Sequence, residues 1–421
     1  MDDVIARGAD RRPAEPAYRW IIVAAGGLIG CVGFGAMFSL PVLLVPIAIQ
    51  TGWSRTGVST AMTIGFLTMA GSAVGWGVLM DRIGPRKIVL TGATLLALGL
   101  ALASQAPNLP TFQIAFGGLT GVALSAIMPP LMATVTGWFQ TQRSLAVSLV
   151  SAGVGMAPLT MSPLVAWFAQ RMDWREAMLA IAAIAFAIQI PLALLIRRPP
   201  GLGPRKAARA SPDASDGVMT TAQALSSSPF LILAATNFFC CATHSGPIFH
   251  TVSYAMACGV PALAAVSIYS LEGLAGLGGR LVFGVLGDRL GAKSVLVAGL
   301  FVQAFGALAY VFVRDLDGFY GVAALFGFTY AGVMPLYAVL ARENFPARMM
   351  GAIVGGTSTA GSLGMALGPI AGGWIFDAYA TYTWLYVGSF AMGLCAALIA
   401  LTFRPFPKRL APVAVAPALS S

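Results

Sequence analysis

The chain has 421 residues, of which 58% are hydrophobic and 10% charged, with a mean hydropathy of +0.82. A water-soluble domain carries about 25% charged residues, so this composition excludes an ordinary soluble fold and places the chain in the membrane class. The formal charge of +10 is accounted for by an uneven spread of basic residues across a bilayer with anionic lipid, and no nucleic-acid partner is expected.

Residues 1–18 are polar and lack the short apolar core and small-residue cleavage site of a secretory signal, so they read as an N-terminal arm. Apolar runs at 20–49, 55–80, 88–106, 110–137, 144–170 and 176–196 then predict six transmembrane helices, since about 20 apolar residues cross a bilayer core. The segment 197–228 opens with Arg197, Arg198, Pro199 and Pro200 and reads as a flexible linker. Six more runs follow at 229–256, 262–287, 294–313, 318–341, 349–376 and 382–403. The domain plan is an arm over 1–18, a bundle over 19–196, a linker over 197–228, a second bundle over 229–403 and a tail over 404–421. The ten-residue alternation of a barrel is missing, which leaves an all-α membrane protein of twelve helices in two six-helix bundles. The 49 glycines and 26 prolines lie inside the apolar runs, where small residues let helices approach closely.

Orientation follows from the 25 Lys and Arg residues. Those of the arm, linker and tail fall on one side with Arg82, Arg86, Lys87, Arg143, Arg289, Lys293, Arg342 and Arg348. Arg55, Arg171, Arg175 and Arg314 are left for the other. Basic loops stay inside, so the expectation is a multi-pass protein of the cell inner membrane with both termini cytoplasmic.

The two halves repeat one pattern. Gly77-Val78-Leu79-Met80-Asp81-Arg82-Ile83-Gly84 closes the second helix, and Gly284-Val285-Leu286-Gly287-Asp288-Arg289-Leu290-Gly291 closes the eighth. This doubled loop resembles the signature between helices two and three of the major facilitator superfamily, and the resemblance covers nearly the whole chain. It implies the major facilitator fold, with Gly77, Asp81, Arg82, Gly84, Gly284, Asp288, Arg289 and Gly291 in a conformational latch on the cytoplasmic side. Asp-Arg-x-Gly is also good turn chemistry, which leaves open a role in ending helices and fixing topology alone.

Charges inside the apolar runs are few. Glu272 is the one acid and Arg280 the one base, both on helix eight. Each costs at least about 2.5 to 3.5 kcal/mol to insert and so needs a partner, a water-filled cavity or a ligand. Eight residues separate them by about 12 Å along the axis and about 80° around it, too far for a direct ion pair. A guanidinium with no carboxylate within a turn suits a carboxylate ligand, which it grips through two parallel hydrogen bonds; the bland alternative is a helix dipole or carbonyl partner. Glu272 suits proton coupling, or a bond to a histidine or hydroxyl of helix seven. That helix supplies both histidines, His244 and His250, with Asn237 and Tyr254. A histidine relays protons or bonds a carboxylate near neutral pH, or simply ties two helices together. Helix ten adds Tyr330 and Tyr337 around Pro335. The substrate-binding candidates are therefore Arg280, His250, Tyr330, Asn237 and Tyr254, and the proton-coupling candidates are Glu272 and His244. The glycine-rich run 364–373 reads as close helix packing.

Further motifs narrow the resemblance. Gly137-Trp138-Phe139 with Arg143, then Gly153-Val154-Gly155, Asp173-Trp174-Arg175 and Gly278-Gly279-Arg280-Leu281 are similar to the monocarboxylate and oxalate/formate branch, where a helix-eight arginine meets the substrate. Two departures stand out. Gly276 holds the place of the aspartate found four residues before that arginine in animal-type carriers, and no lysine occurs in helix one or between Gly351 and Phe376. One intramembrane cation favours a monoanion over a dianion.

No G-x-x-x-x-G-K-[ST] loop is present, so ATP is not the energy source. Paired catalytic carboxylates, a nucleophile elbow and metal-ligand spacing are also missing, and the five cysteines sit in apolar runs. Neither an enzyme nor a metal or cofactor is expected. The reading is a monomeric secondary transporter of a small organic anion, a monocarboxylate, by alternating access with proton symport. Left open are a proton-coupled exporter of amphipathic drugs, a carboxylate antiporter, and a transport-inactive membrane sensor.

Overall fold

A computed structural model describes residues 17–139, 142–199, 220–345 and 349–403, apart from the side chains of Val74, Val78, Asp81, Arg143, Ser144, Thr221 and Gly351. The arm before residue 17, the tail from 404, linker residues 200–219 and the Asp81 side chain thus lie outside the described residues.

Twelve long helical rods run through the described chain, and no strand accompanies them. In the first half they are α1 (Tyr18–Thr51), α2 (Arg55–Ile83), α3 (Pro85–Ser104), α4 (Leu109–Trp138), α5 (Arg143–Gly155 followed by Ala157–Ala169) and α6 (Trp174–Leu195). In the second half they are α7 (Ser228–Ala257), α8 (Ala262–Leu290), α9 (Ala292–Phe312), α10 (Leu316–Asn344), α11 (Met350–Tyr379) and α12 (Thr383–Leu401). Ten of the twelve are long and apolar enough to cross a membrane on their described residues, and α2 and α11, at 29 and 30 residues, complete the set.

Local chemistry sets the ends and breaks. Ser54, Asp173 and Asp315 cap α2, α6 and α10 by accepting a backbone N–H of the first turn. Proline interrupts two rods that the sequence presents as continuous. α1 breaks at Phe38 into Tyr18–Met37 and Ser39–Thr51, because Pro41 has no N–H for the carbonyl four residues back. α5 breaks at Met156, just before Pro158. α4 begins one residue before its predicted start and carries a π-helical stretch over Gln113–Leu119. The expected linker also differs in part: Thr220 and Gln223 form a capping box that starts a helical turn, Thr221–Leu225, ahead of α7.

The repeat seen in the sequence is a repeat of conformation. Gly84 and Gly291 both take positive φ, +92° and +88°, and each cap backbone N–H bonds the carbonyl four residues back. A side chain is strained there, which is why glycine ends both motifs. Packing is equally small-residue driven. A Cβ added at Gly364, Gly368 or Gly372 of α11 would strike the α7 chain at Phe238, Ser245 and Gly246, or His250. That spacing of four residues puts one stripe against α7, so the run 364–373 does pack closely, as its composition suggests.

Both described chain ends lie at one end of the molecule, the terminal end. There the Tyr18 hydroxyl donates to the Leu195 carbonyl at 2.7 Å, Trp138 Nε1 donates to Arg197 O at 3.0 Å, and Lys293 donates to Phe403 O. The Gly84 and Gly291 turns share that end, and the α1–α2 and α11–α12 turns lie at the opposite one.

Candidate functional site

The two bundles touch mainly through α2 with α11 and α5 with α8, and the contacts concentrate toward the opposite end. There Asp377 of α11 caps α2 of the other bundle. Its Oδ1 accepts from Arg55 N at 3.1 Å, and its Oδ2 accepts from Thr56 N at 2.7 Å and Thr56 Oγ1 at 2.6 Å. A carboxylate on a helix N-terminus meets unpaired N–H groups and the positive end of the helix dipole. The Arg55 guanidinium lies 3.6 Å from the Phe376 ring centroid and donates to the Tyr382 hydroxyl at 2.9 Å. One further step in, Thr63 Oγ1 donates to Ala366 O at 2.7 Å. Gly373 sits so close to Thr56 and Ser59 that a Cβ would collide.

Along α8 the seam continues and then stops. The Ser270 hydroxyl donates to Pro158 O at 3.1 Å, and Tyr269 meets Phe38, at the break in α1, edge-on at 6.5 Å. Gly273 lies against Gly155 O and Pro158, and Leu277 against Gly155. Arg280 makes the last contact: its Nη1 donates to Ser151 O across the bundle boundary at 2.9 Å. Toward the terminal end a Cβ at Gly71, Gly75 or Gly77 of α2, at Gly284 of α8 or at Gly355 of α11 meets nothing within 4 Å. Among the described residues the contacts between the bundles thus run from the opposite end as far as Arg280 and are not seen beyond it, which outlines a wedge with its closed side at the opposite end and Arg280 at its apex.

The half-buried Arg280 side chain has a backbone partner in the other bundle. Ser151 lies five residues before α5 breaks at Met156, near the negative end of that helix segment, and its carbonyl has a second lone pair for the guanidinium. Gly155 makes the room, since a Cβ there would stand 3.3 Å from Nη1 and 3.6 Å from Cζ. Among the described residues no carboxylate pairs with the guanidinium. One neutral carbonyl leaves most of the five N–H donors of an arginine for another ligand.

Glu272 is fully buried, and neither carboxyl oxygen has a hydrogen-bond partner among the described residues. The expected alternative of a helix-seven histidine or hydroxyl as its partner is not what this conformation holds. Its backbone packs onto Gly327 of α10, where a Cβ would strike the Glu272 carbonyl. The hydroxyls of Tyr269, Tyr310, Tyr330 and Tyr386 stand within electrostatic reach of it, and those of Tyr269 and Tyr310 are likewise buried without a partner. Tyr330 is the link, within reach of both Glu272 and Arg280 and 5.0 Å from the His244 ring centroid to centroid.

The other candidates work within the second bundle. Asn237 donates to Thr357 O of α11 at 2.8 Å. His250 Nε2 shares a hydrogen bond with Pro369 O at 3.0 Å, and its ring lies 5.1 Å from Tyr382 beside the Asp377 seal. The Tyr254 hydroxyl donates to Tyr310 O at 3.1 Å and accepts from Arg314 at the α9–α10 turn. The structure therefore groups Arg280, Tyr330, Glu272 and His244, and sets Asn237, His250 and Tyr254 in structural bonds. Of the latch residues, Arg82, Asp288 and Arg289 are exposed at the parted end.

Sequence reasoning missed Asp377, Ser151 and Gln303, and it noted Gly155 only within a motif, without its place beside Arg280. Asp377 lies two residues from the end of α11 and reads as a surface charge. Only the meeting of the bundles gives it a helix to cap. Ser151 contributes a carbonyl, which every residue has, so no side-chain signal exists for it.

Comparison with known proteins agrees with this architecture. A family model described as Major Facilitator Superfamily matches residues 25–369, and again 281–419. The chain is 26% identical to monocarboxylate transporter 13 of Bos taurus over 394 residues, covering 92% of this chain and 90% of that one. It is 24% identical to monocarboxylate transporter 12 of Rattus norvegicus over 421 aligned positions, with 90% and 84% covered. Among solved structures, a bacterial homologue of the human lysosomal transporter Spinster, in an inward-facing and unoccupied conformation, superposes with a TM-score of 0.74 at 15% identity, covering 91% of this chain and 96% of that one.

Proposed function

The chain belongs to the Major Facilitator Superfamily and is a transporter, not an enzyme; from that premise we propose that it moves a small organic anion, a monocarboxylate, by alternating access in symport with a proton. The observation that carries this reading is Arg280, a cation at the apex of the wedge whose described partner is one neutral carbonyl. A carboxylate entering the wedge takes two parallel N–H bonds from the guanidinium, a stronger and more directional pairing than a single carbonyl provides. The relatives named as monocarboxylate transporters support the substrate class. A single cation at the apex among the described residues supports a monoanion.

Glu272 is the proton site in this reading. A buried carboxyl without a hydrogen-bond partner is costly as an anion and tolerable as the neutral acid. It lies about 12 Å along α8 from Arg280, on the sealed side. Rocking the bundles is what exposes it to either aqueous phase. The basic loops support cytoplasmic termini in the inner membrane, so the parted end is the cytoplasmic one.

The test is uptake in proteoliposomes of radiolabelled mono- and dicarboxylates, with and without a proton gradient. Accumulation of a monocarboxylate driven by the gradient is the expected result. Transport of cationic amphiphiles that persists in Arg280→Ala and fails in Glu272→Gln would establish the drug-exporter reading instead.

A further inference from the structure

Gln303 of α9 is fully buried and has three described partners. Its Nε2 donates to Cys240 O at 3.2 Å and bonds His244 Nδ1 at 3.2 Å, and its Oε1 accepts from Cys240 Sγ at 3.5 Å. These partners fix the amide. A backbone carbonyl only accepts, so the nitrogen must face Cys240 O, and the thiol hydrogen then points at the oxygen. With both hydrogens of the amide nitrogen spent on Cys240 O and Nδ1, the His244 Nδ1 must be the bare, accepting nitrogen. The imidazole proton is then on Nε2.

We infer that Gln303 is a positioning residue that locks His244 as a neutral Nε2–H donor beside Tyr330, and that His244 therefore serves the transported anion as a fixed hydrogen-bond donor and does not carry the coupled proton. The described polar and titratable groups on the ring are Cys240 from its own helix, Gln303 from α9 and Tyr330 from α10. No carboxylate is among them to stabilise a charged imidazole. Protonating Nδ1 would set two N–H donors against each other in a buried site, which forfeits the amide–imidazole bond and makes both compete for the one Cys240 carbonyl. The inference deepens the transport reading above and rests on it for the role of the donor. The tautomer itself is independent of substrate.

The experiment is nitrogen-15 NMR of histidine-labelled, ligand-free full-length protein in detergent micelles, titrated over about pH 5 to 8, the range in which an ordinary histidine changes charge. The chain has two histidines, and Gln303→Glu assigns the signal, since the one that moves belongs to His244. In the unaltered protein the expected His244 spectrum is the Nε2–H neutral form throughout the titration. In Gln303→Glu the new carboxylate accepts from Nδ1–H, so the signal moves to the Nδ1-protonated form. In proteoliposomes the same variant should raise KM for the anion about tenfold, the size of one lost hydrogen bond, with kcat largely kept. Gln303→Leu, which removes the lock without adding charge, should show mixed tautomers. A charged or Nδ1–H His244 in the unaltered protein, or a spectrum unmoved by Gln303→Glu, overturns the inference. If the spectra are as expected and no carboxylate is transported, the tautomer lock stands and the substrate reading fails.

Discussion

Replacing Asp377 should loosen the sealed end of the wedge. The carboxylate accepts three hydrogen bonds from the start of α2, all at distances between 2.6 and 3.1 Å. Each such bond contributes about 0.5 to 1.5 kcal/mol net, and the charge on the helix N-terminus about 0.3 to 1 kcal/mol more. The site is exposed to solvent, where the freed N–H groups find water, so the net loss in Asp377→Ala is about 1 to 2 kcal/mol. That shifts the balance between sealed and unsealed forms about 5- to 30-fold toward unsealed. Asp377→Asn keeps one good acceptor and loses the charge, so it should fall between Ala and the unaltered protein. Spin labels at Pro107, in the loop before α4, and at Asp317, in the first turn of α10, report the separation of the bundles at this end once the five native cysteines are replaced. A longer-distance population should appear in the order Ala, Asn, Asp. Identical distance distributions in all three proteins, each confirmed folded by its thermal transition, would refute the seal. Arg55 and Thr63 would then have to account for the closed end.

Arg280→Ala should cut kcat/KM for the carboxylate at least about 100-fold while insertion is unchanged, because two charge-assisted bonds are lost; Arg280→Lys, which keeps charge but not the fork, should raise KM by about tenfold. Uptake in Glu272→Gln should lose its dependence on the proton gradient and retain anion binding, read by comparing gradient-driven accumulation with equilibrium exchange. Gly155→Val places side-chain atoms where a Cβ already stands 3.3 Å from Arg280 Nη1, and a rise in KM of about 3- to 10-fold is expected for that displacement. Gly291→Ala, at φ +88°, should lower stability by about 1 to 2 kcal/mol. Gly284→Ala, with nothing within 4 Å of the added Cβ, should raise stability by up to about 1 kcal/mol; thermal unfolding in detergent compares the two.

Composition and local pattern were enough to read twelve helices, because a bilayer forces each crossing to be about 20 apolar residues with its backbone bonds made internally. The doubled Asp-Arg-x-Gly loop was legible for a similar reason: a positive φ at Gly84 and at Gly291 is a demand made by the chain on itself. Glu272 and Arg280 stood out because a charge in an apolar run is expensive wherever the helix packs. What surrounds those charges was not legible. Helical spacing puts Asn237 and His244, seven residues apart, on one stripe of α7, yet one bonds α11 and the other α9, since the reach of a side chain and the shape of its neighbours decide its partner. The breaks at Phe38 and Met156 fall inside runs read as continuous helices, and the meeting of the Ser151 carbonyl with an arginine of the other bundle depends on how two bundles pack. Asp377 capping α2 across more than 300 residues has no local signature at all. The sequence by itself determined the crossings, the repeat and the few buried charges, because those are costs borne by each helix alone. Only the tertiary structure decided which groups share the apex and which seal the far end, because these are contacts between surfaces distant in the chain.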